Sequence, residues 1–181
     1  MQKLLPSLDR PVVLVGLMGV GKSTIGKRLA KRLGLDFVDS DEAIEDAAGA
    51  PAGEVFERYG EASFRDGERR LVARLVEGAV RIIATGGGAF VDPTTRRLLN
   101  ERAITVWLNA PVEVLVERTA RRDTRPLLKG PDAGDVLARL AAERAGAYGE
   151  AHIHVTSSNG AHGEVVETIV DALDRHLSAG R

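Results

Sequence analysis

The sequence predicts a doubly wound α/β fold, in which a parallel β-sheet is covered by helices on both faces. Five short apolar runs have the composition of buried strands, and segments with helical spacing of apolar residues lie between them. Near-continuous apolar strands that alternate with helices are typical of parallel sheets. The predicted strands are residues 12–15, 36–39, 82–85, 104–108 and 152–155.

Particular residues mark several of the helices. Proline is favoured in the first turn of a helix, so Pro93 after Asp92 and Pro111 after Ala110 predict two helix starts. A last helix is predicted over about residues 162–177, because its apolar residues recur every four positions and form one stripe that would pack on the sheet. That stripe consists of Val165, Ile169 and Leu173.

Length and composition restrict the class of protein. A chain of 181 residues is about the size of one domain, and we expect a single domain over residues 1–181. A formal net charge of −1 argues against a nucleic-acid partner. The sequence contains no cysteine, which excludes disulfides and cysteine-bound zinc and makes a reducing cytoplasm the expected location. No apolar run approaches the ~18 residues of a membrane span, so we expect no membrane partner.

Residues 16–24 form the most specific motif. They read Gly-Leu-Met-Gly-Val-Gly-Lys-Ser-Thr and match the phosphate-binding pattern G-x-x-x-x-G-K-[ST], directly after the first predicted strand and at the start of a helix. In such a loop the backbone amides bind phosphate oxygens, Lys22 reaches the β- and γ-phosphates, and the Ser23 hydroxyl binds Mg²⁺. The sequence therefore predicts a site for a nucleoside triphosphate with magnesium. The loop alone does not separate a small-molecule kinase from a GTPase or a mechanical ATPase.

Two aspartates follow the second predicted strand. Asp39 and Asp41 lie at the carboxyl end of that strand, where ligands bind in open α/β sheets. One carboxylate near magnesium and one near an acceptor hydroxyl would suit phosphoryl transfer to an alcohol. The alternative is that Asp41 caps the following helix.

Three further segments are less specific. Residues 86–88 are three consecutive glycines, which suggest a close approach of a ligand to the backbone or else a loose loop. Arg65 and Glu68 are spaced i, i+3, and alone they would be interpreted as a surface ion pair. Residues 121–135 are rich in charge, proline and glycine, a composition that indicates a lid or a disordered loop.

Taken together, the ordered motifs resemble the shikimate kinase family over about residues 11–175. The resemblance implies a nucleoside-monophosphate-kinase-like fold with a five-stranded parallel sheet in three layers and a mobile lid over about residues 119–135. It also implies transfer of the γ-phosphoryl group of ATP to the 3-hydroxyl of shikimate, in the pathway to chorismate and the aromatic amino acids. The matching motifs are residues 16–24, Asp39-Ser40-Asp41, Phe64-Arg65-x-x-Glu68, residues 86–88 and Arg125-Pro126-Leu127-Leu128.

The resemblance also implies roles for residues around the acceptor. Asp41 is similar to the carboxylate that binds the ring hydroxyls and takes the proton of the attacking one. Arg65 and Arg144 resemble the two guanidinium groups that clamp the shikimate carboxylate, and Gly87 resembles the glycine whose backbone contacts the substrate. One departure lies close by: Gly146 stands where the family commonly has proline, so we expect a looser backbone there.

For the nucleotide, the resemblance places Asp39 beside Ser23 at the magnesium ion. Arg125 is similar to the lid arginine that closes over the phosphates, and Arg118 to the one that lies against adenine. The family often carries an arginine near adenine after the fifth strand; this chain has none there, and a main-chain or Ser158 contact is the expected replacement. Catalysis is thus expected to depend on Asp41, Lys22 and Arg125, and phosphate binding on Gly19, Val20, Gly21, Lys22, Ser23 and Thr24.

Other interpretations remain open from the sequence. A related kinase acting on a gluconate-like acceptor would also need to recognise a hydroxylated carboxylate, and a regulatory module could keep the phosphate loop without catalysis. We expect Trp107, His152 and His154 to pack rather than to bind a ligand. We also expect a monomer, because no extended apolar stripe is left over once the core is assigned.

Overall fold

A computed structural model describes residues 8–121, 132–157 and 160–180. One or more helices follow each of the five strands. In chain order the elements are β1 (Val12–Val15), α1 (Lys22–Leu33), β2 (Asp36–Asp39), α2 (Ser40–Ala48), α3 (Ala52–Glu77), β3 (Arg81–Ala84), a 3₁₀ turn (Ala89–Val91), α4 (Pro93–Arg102), β4 (Ile104–Asn109), α5 (Val112–Ala120), α6 (Ala133–Tyr148), β5 (Ile153–Thr156) and α7 (His162–Ala179).

The five strands form one parallel sheet in the order β2-β3-β1-β4-β5. Each predicted strand is confirmed, with ends that differ by at most one residue. Strand β1 lies in the centre, where Val12 is opposite both Ile82 of β3 and Ile104 of β4. The chain runs from β1 first to one side of the sheet and later to the other, so the switch point that favours ligand binding lies at the carboxyl end of β1.

Helices cover both faces of the sheet, and the prediction of a three-layer α/β fold is confirmed. Helix α1 packs against α7, whereas α3 packs against α4 and α5 against α6. Right-handed crossovers explain this division. The step from β1 to β2 crosses the sheet in one direction, and every later step from strand to strand crosses it in the other, so α1 lies on the opposite face from the helices of the later crossovers. All four residues of β1 are buried, as expected of a central strand covered on both faces.

The predicted helix starts and the last helix are also confirmed. Asp92 caps α4 by accepting a hydrogen bond from the Thr95 backbone N–H at 2.8 Å, with Pro93 at the first helical position. Pro111 directly precedes α5. The predicted stripe of α7 is buried. Among the described helices, none is long and apolar enough to cross a membrane.

Helix α3 contains an interruption that the sequence analysis did not predict. Gly60 has φ of 80° and ψ of 167°, which are non-helical, so α3 consists of two helical stretches. The second stretch, after Gly60, carries Arg65 and Glu68 to the carboxyl edge of the sheet.

Candidate active site

The phosphate-binding loop joins β1 to α1 at the switch point of the sheet. Gly19 and Gly21 have φ values of 83° and 99°, which other residues rarely adopt, and they turn the loop back towards the start of α1. Gly21 is the N-cap of α1 and has no side chain to occupy the N–H groups of the first turn. Those N–H groups and the positive end of the helix dipole form an anion-binding surface.

Lys22 lies over this loop. Its Nζ donates hydrogen bonds to the carbonyl oxygens of Gly16 at 2.7 Å and Leu17 at 2.9 Å, and only 9% of the residue is exposed. Lys22 also lines the adjacent cavity, which is the position from which the lysine of such a loop reaches phosphate oxygens.

A cavity of about 630 Å³ opens beside the loop at the carboxyl edge of the sheet. Its walls come from the phosphate-binding loop, the end of β2, the loop after β3, the end of α5 and the start of α7. The lining residues are Gly19, Gly21, Lys22, Ser23, Thr24, Asp39, Asp41, Thr85, Gly87, Glu117, Arg118, Thr119, Arg121, Gly160 and His162.

The two aspartates after β2 have different structural roles. Asp39 caps α2: its Oδ1 accepts from the backbone N–H of Asp41 at 2.9 Å, and its Oδ2 accepts a short hydrogen bond from the Ser23 hydroxyl. The alternative that Asp41 is the cap is therefore wrong. Asp41 lies in the first turn of α2, and its side chain lines the cavity.

The three glycines of residues 86–88 make room for three side chains. None of them has a positive φ, so backbone conformation does not require glycine. A Cβ atom on Gly86 would lie 2.7 Å from Oδ1 of Asp41, and one on Gly88 would lie 2.6 Å from a guanidinium nitrogen of Arg65. On Gly87 it would lie 3.4 Å from Nη1 of Arg144. The alternative of a loose loop is wrong, because this turn is packed closely under the predicted acceptor-binding residues.

Arg65 and Glu68 form a partly buried ion pair. Nη1 of Arg65 donates to Oε2 of Glu68 at 2.7 Å, and Glu68 is only 4% exposed. Burial raises the pKa of Glu68, and the hydrogen bond and charge of Arg65 partly offset that effect. The interpretation of a surface ion pair is wrong: Glu68 orients the guanidinium group over Gly88.

The sequence contained a signal for Glu68 that our interpretation of the motif did not use. Phe64, Leu71 and Leu75 lie four residues before, three after and seven after Glu68. A carboxylate in the middle of such an apolar stripe faces the interior of the protein and therefore needs a partner.

Arg144 and Tyr148 lie one helical turn apart on α6. The Tyr148 hydroxyl donates to the carbonyl oxygen of Gly87 at 2.5 Å, and Tyr148 is buried. Gly146 does not loosen this segment, since α6 runs unbroken through it to Tyr148. Our sequence interpretation gave Tyr148 no role.

Arg118 of α5 lies against the phosphate-binding loop. Its Nη1 donates to the carbonyl oxygen of Val20 at 3.0 Å and to the hydroxyl of Ser157 at 3.3 Å. Arg118 also lines the cavity, and its predicted contact with adenine stays a prediction. Arg125 and Ser158 lie outside the described residues, as does most of the predicted lid.

Trp107, His152 and His154, which we expected to pack, contact neighbouring groups, but both histidines are exposed. Nδ1 of His152 accepts from the backbone N–H of Thr105 at 3.1 Å. The His154 ring meets Trp107 edge-on, with 5.2 Å between ring centroids. Both histidines therefore have partners within the protein.

The phosphate-binding loop lies at the switch point of a doubly wound parallel sheet, beside carboxylates and guanidinium groups. This combination is typical of a small P-loop kinase. The shikimate kinase family model matches residues 18–174. A shikimate kinase from Rhodopseudomonas palustris is 50% identical over 171 residues, which cover 94% of this chain and 84% of the relative. One from Caulobacter vibrioides is 51% identical over 170 residues, covering 94% of this chain and 85% of the relative. The chain belongs to the shikimate kinase family.

Solved structures agree with this assignment. Shikimate kinase from Acinetobacter baumannii in complex with shikimate has a TM-score of 0.85 and 37% identity, and covers 90% of this chain and 91% of that one. Shikimate kinase from Aquifex aeolicus has a TM-score of 0.80 and 35% identity, and the match covers 91% of this chain and 96% of that one. A gluconokinase from Sinorhizobium meliloti, at 18% identity and a TM-score of 0.64 over 93% and 94% of the chains, shares the fold alone.

Proposed function

We propose that the protein transfers the γ-phosphoryl group of ATP to the 3-hydroxyl of shikimate, giving shikimate 3-phosphate and ADP. This reaction is a step in the synthesis of chorismate and the aromatic amino acids. The observation that carries the proposal is the packing of Asp41, Arg65 and Arg144 on three consecutive glycines beside the phosphate-binding loop. Membership of the shikimate kinase family supports the same reaction.

The acceptor would be held by charge-assisted hydrogen bonds. Shikimate carries one carboxylate, and the forked guanidinium groups of Arg65 and Arg144 suit bidentate recognition of that group. Asp41 would bind the ring hydroxyls and take the proton of the attacking one. Gly87, which lines the cavity, would contact the ring through its backbone.

The nucleotide would lie along the loop and the first turn of α1. The backbone of Gly19, Val20 and Gly21 and the side chains of Lys22 and Thr24 would hold its phosphates. Phosphoryl transfer through a loose transition state requires mainly positioning and neutralisation of charge, which Lys22 supplies here. Arg118, which lies against the loop, would contact the base.

The oxygen atoms of Ser23 and Asp39 fit a magnesium ion. They are in direct contact at the wall of the cavity, and magnesium prefers oxygen ligands. Within the described parts of the chain there is no group of three or more His, Cys, Asp or Glu residues that could hold a metal. Phosphate oxygens and water would therefore supply most of the coordination, and the bound ion would neutralise charge on the phosphates.

Five parts of the proposal depend on the sequence and the family resemblance alone. Arg125 would close over the phosphates as part of a lid over about residues 119–135, and Ser158 would contribute near adenine. The chain would form one domain and act as a monomer. Its expected location is the cytoplasm.

The test is release of ADP by the purified protein with ATP and Mg²⁺, alone, with shikimate or with gluconate. We expect ADP release that depends on shikimate, with a phosphorylated product of the matching mass. Greater activity with gluconate would replace this proposal by the related-kinase alternative. Tight ATP binding with no response to either acceptor would support the regulatory module.

A further inference from the structure

Tyr148 is the last residue of α6 and is almost fully enclosed. It is 1% exposed, and its hydroxyl donates to the Gly87 carbonyl oxygen at 2.5 Å. The ring packs on Trp107, with 5.9 Å between centroids and 30° between the ring planes. Because a phenylalanine ring would fill the same space, packing alone does not explain the hydroxyl.

The hydroxyl also interacts with Arg144. Arg144 precedes Tyr148 by four residues, so both side chains lie on the same face of α6. Burial raises the pKa of Tyr148, whereas the charge of Arg144 and a hydrogen bond from it act in the opposite direction. Nη1 of Arg144 lies only 3.4 Å from where a Cβ on Gly87 would be. The Tyr148 hydroxyl therefore bonds the same glycine, Gly87, that the Arg144 guanidinium group approaches.

We propose that Tyr148 is a positioning residue, whose hydroxyl fixes Arg144 and the Gly87 peptide relative to each other before shikimate binds. The inference rests on the proposed function, since it assumes that Arg144 and Gly87 contact the acceptor. Tyr148 is too deeply buried to touch the substrate itself. Its contribution is to reduce the freedom of the two groups that do, and therefore the cost of ordering them on binding.

This role predicts a selective effect on acceptor binding. Without the hydroxyl, the Gly87 carbonyl loses its partner and the Arg144 guanidinium loses one of its contacts. The hydrogen bonds of Lys22 to Gly16 and Leu17, and of Ser23 to Asp39, do not involve this hydroxyl. The Michaelis constant for shikimate should therefore rise, while turnover at saturation and the Michaelis constant for ATP should stay nearly the same.

The experiment is steady-state kinetics of Tyr148→Phe with both substrates varied. We expect the KM for shikimate to rise about three- to tenfold, the range that loss of one hydrogen bond represents. We expect kcat and the KM for ATP to stay within about twofold. Tyr59→Phe is the matched control, because it removes the hydroxyl of an exposed tyrosine and should change none of the three constants.

A second pair of variants separates positioning from packing. If Tyr148 acts through Arg144, then Tyr148→Phe should raise the KM for shikimate much less in an Arg144→Ala background than in the wild type. Trp107→Phe disturbs the packing of the Tyr148 ring and keeps its hydroxyl, so it should lower the melting temperature and leave the KM for shikimate unchanged.

The inference and the proposed function fail in different ways. If the wild type phosphorylates shikimate and Tyr148→Phe leaves its KM unchanged, only the inference is overturned. Equal effects of Tyr148→Phe with and without Arg144, or a fall in kcat with unchanged KM, overturn it as well. A wild-type protein that does not use shikimate overturns the proposed function, and with it the basis of the inference.

Discussion

Gly88→Ala tests whether the glycine turn exists to make room for Arg65. A Cβ at this position would lie 2.6, 2.7 and 2.8 Å from three atoms of the Arg65 guanidinium group. The backbone itself accepts alanine, because Gly88 has φ of −89° and ψ of −16°. The substitution should therefore displace the arginine and leave the turn in place.

The size of the effect follows from these distances. Non-bonded heavy atoms pack at about 3.5–4.0 Å, so the guanidinium group must move by roughly 1 Å. A shift of that size at a positioned group can cost about 10²-fold. Loss of a charge-assisted hydrogen bond costs about 1.5–3 kcal/mol, or roughly 10- to 100-fold. We expect the KM for shikimate to rise within that range and the KM for ATP to remain unchanged.

The measurement is the rate of ADP release as a function of each substrate. Gly67→Ala is the control, since a Cβ on Gly67 of α3 would have no neighbouring atom within 4 Å. That control should keep wild-type kinetics and unfold at slightly higher temperature, because alanine is favoured over glycine in a helix by about 0.5–1 kcal/mol. A Gly88→Ala enzyme with wild-type affinity for shikimate would refute the link between this glycine and Arg65.

Three further predictions concern charge and protonation. Asp41→Asn should lower kcat by about 10²–10⁴ with ATP binding retained, as kinetics and nucleotide titration would reveal; a matching loss of ATP affinity would contradict the role of Asp41. Burial raises the pKa of Glu68, so its carboxylate destabilises the fold increasingly as pH rises above the ordinary value of 4.5. Denaturant melts should therefore show Glu68→Gln gaining stability relative to the wild type as pH rises from 4 to 7, while its KM for shikimate increases because Arg65 is no longer held. An unchanged difference across that range would argue against a buried charge. Partial burial is the largest of the causes that lower the pKa of His152, whose neutral ring accepts a hydrogen bond from Thr105. The stability that the neutral His152 ring contributes should be lost as pH falls below about 6.5, and His152→Asn should remove that part of the pH dependence. A variant whose stability has the same pH profile as the wild type would exclude this contribution of His152.

The phosphate-binding loop and the strands could be predicted from the sequence because their signals are local. The glycines of residues 16–24 indicate the turns of the backbone in that loop, and the apolar run of β1 indicates a strand that is buried on both faces. Helix starts such as Asp92-Pro93 depend on adjacent residues only. Such patterns need no knowledge of how distant segments pack.

The interior of the acceptor site could not be predicted in the same way. The spacing of Arg65 and Glu68 is the same for a surface ion pair and a buried one, and only packing against the rest of the chain decides between them. The glycines of residues 86–88 are explained by side chains from α2, α3 and α6, which lie far away in the sequence. The contact of Tyr148 with Gly87 spans 61 positions and has no local signature.

The division of roles between the two aspartates shows the same limit. From the sequence, either Asp39 or Asp41 could have capped α2, because both residues are good N-caps. The residue at which β2 ends determines which aspartate is the cap. Because β2 ends at Asp39, Asp39 caps α2 and the side chain of Asp41 lines the cavity. Strand ends are set by sheet register, which a single sequence does not specify.

A crystal structure with ADP and shikimate bound would show directly whether Asp41, Arg65 and Arg144 hold the acceptor. We expect the shikimate carboxylate between the guanidinium groups of Arg65 and Arg144, at about 2.7–2.9 Å from their nitrogen atoms, with a ring hydroxyl on Asp41. The ADP phosphates should lie along residues 16–24. Shikimate bound with its carboxylate away from both arginines, or with no hydroxyl near Asp41, would exclude these roles for the three residues.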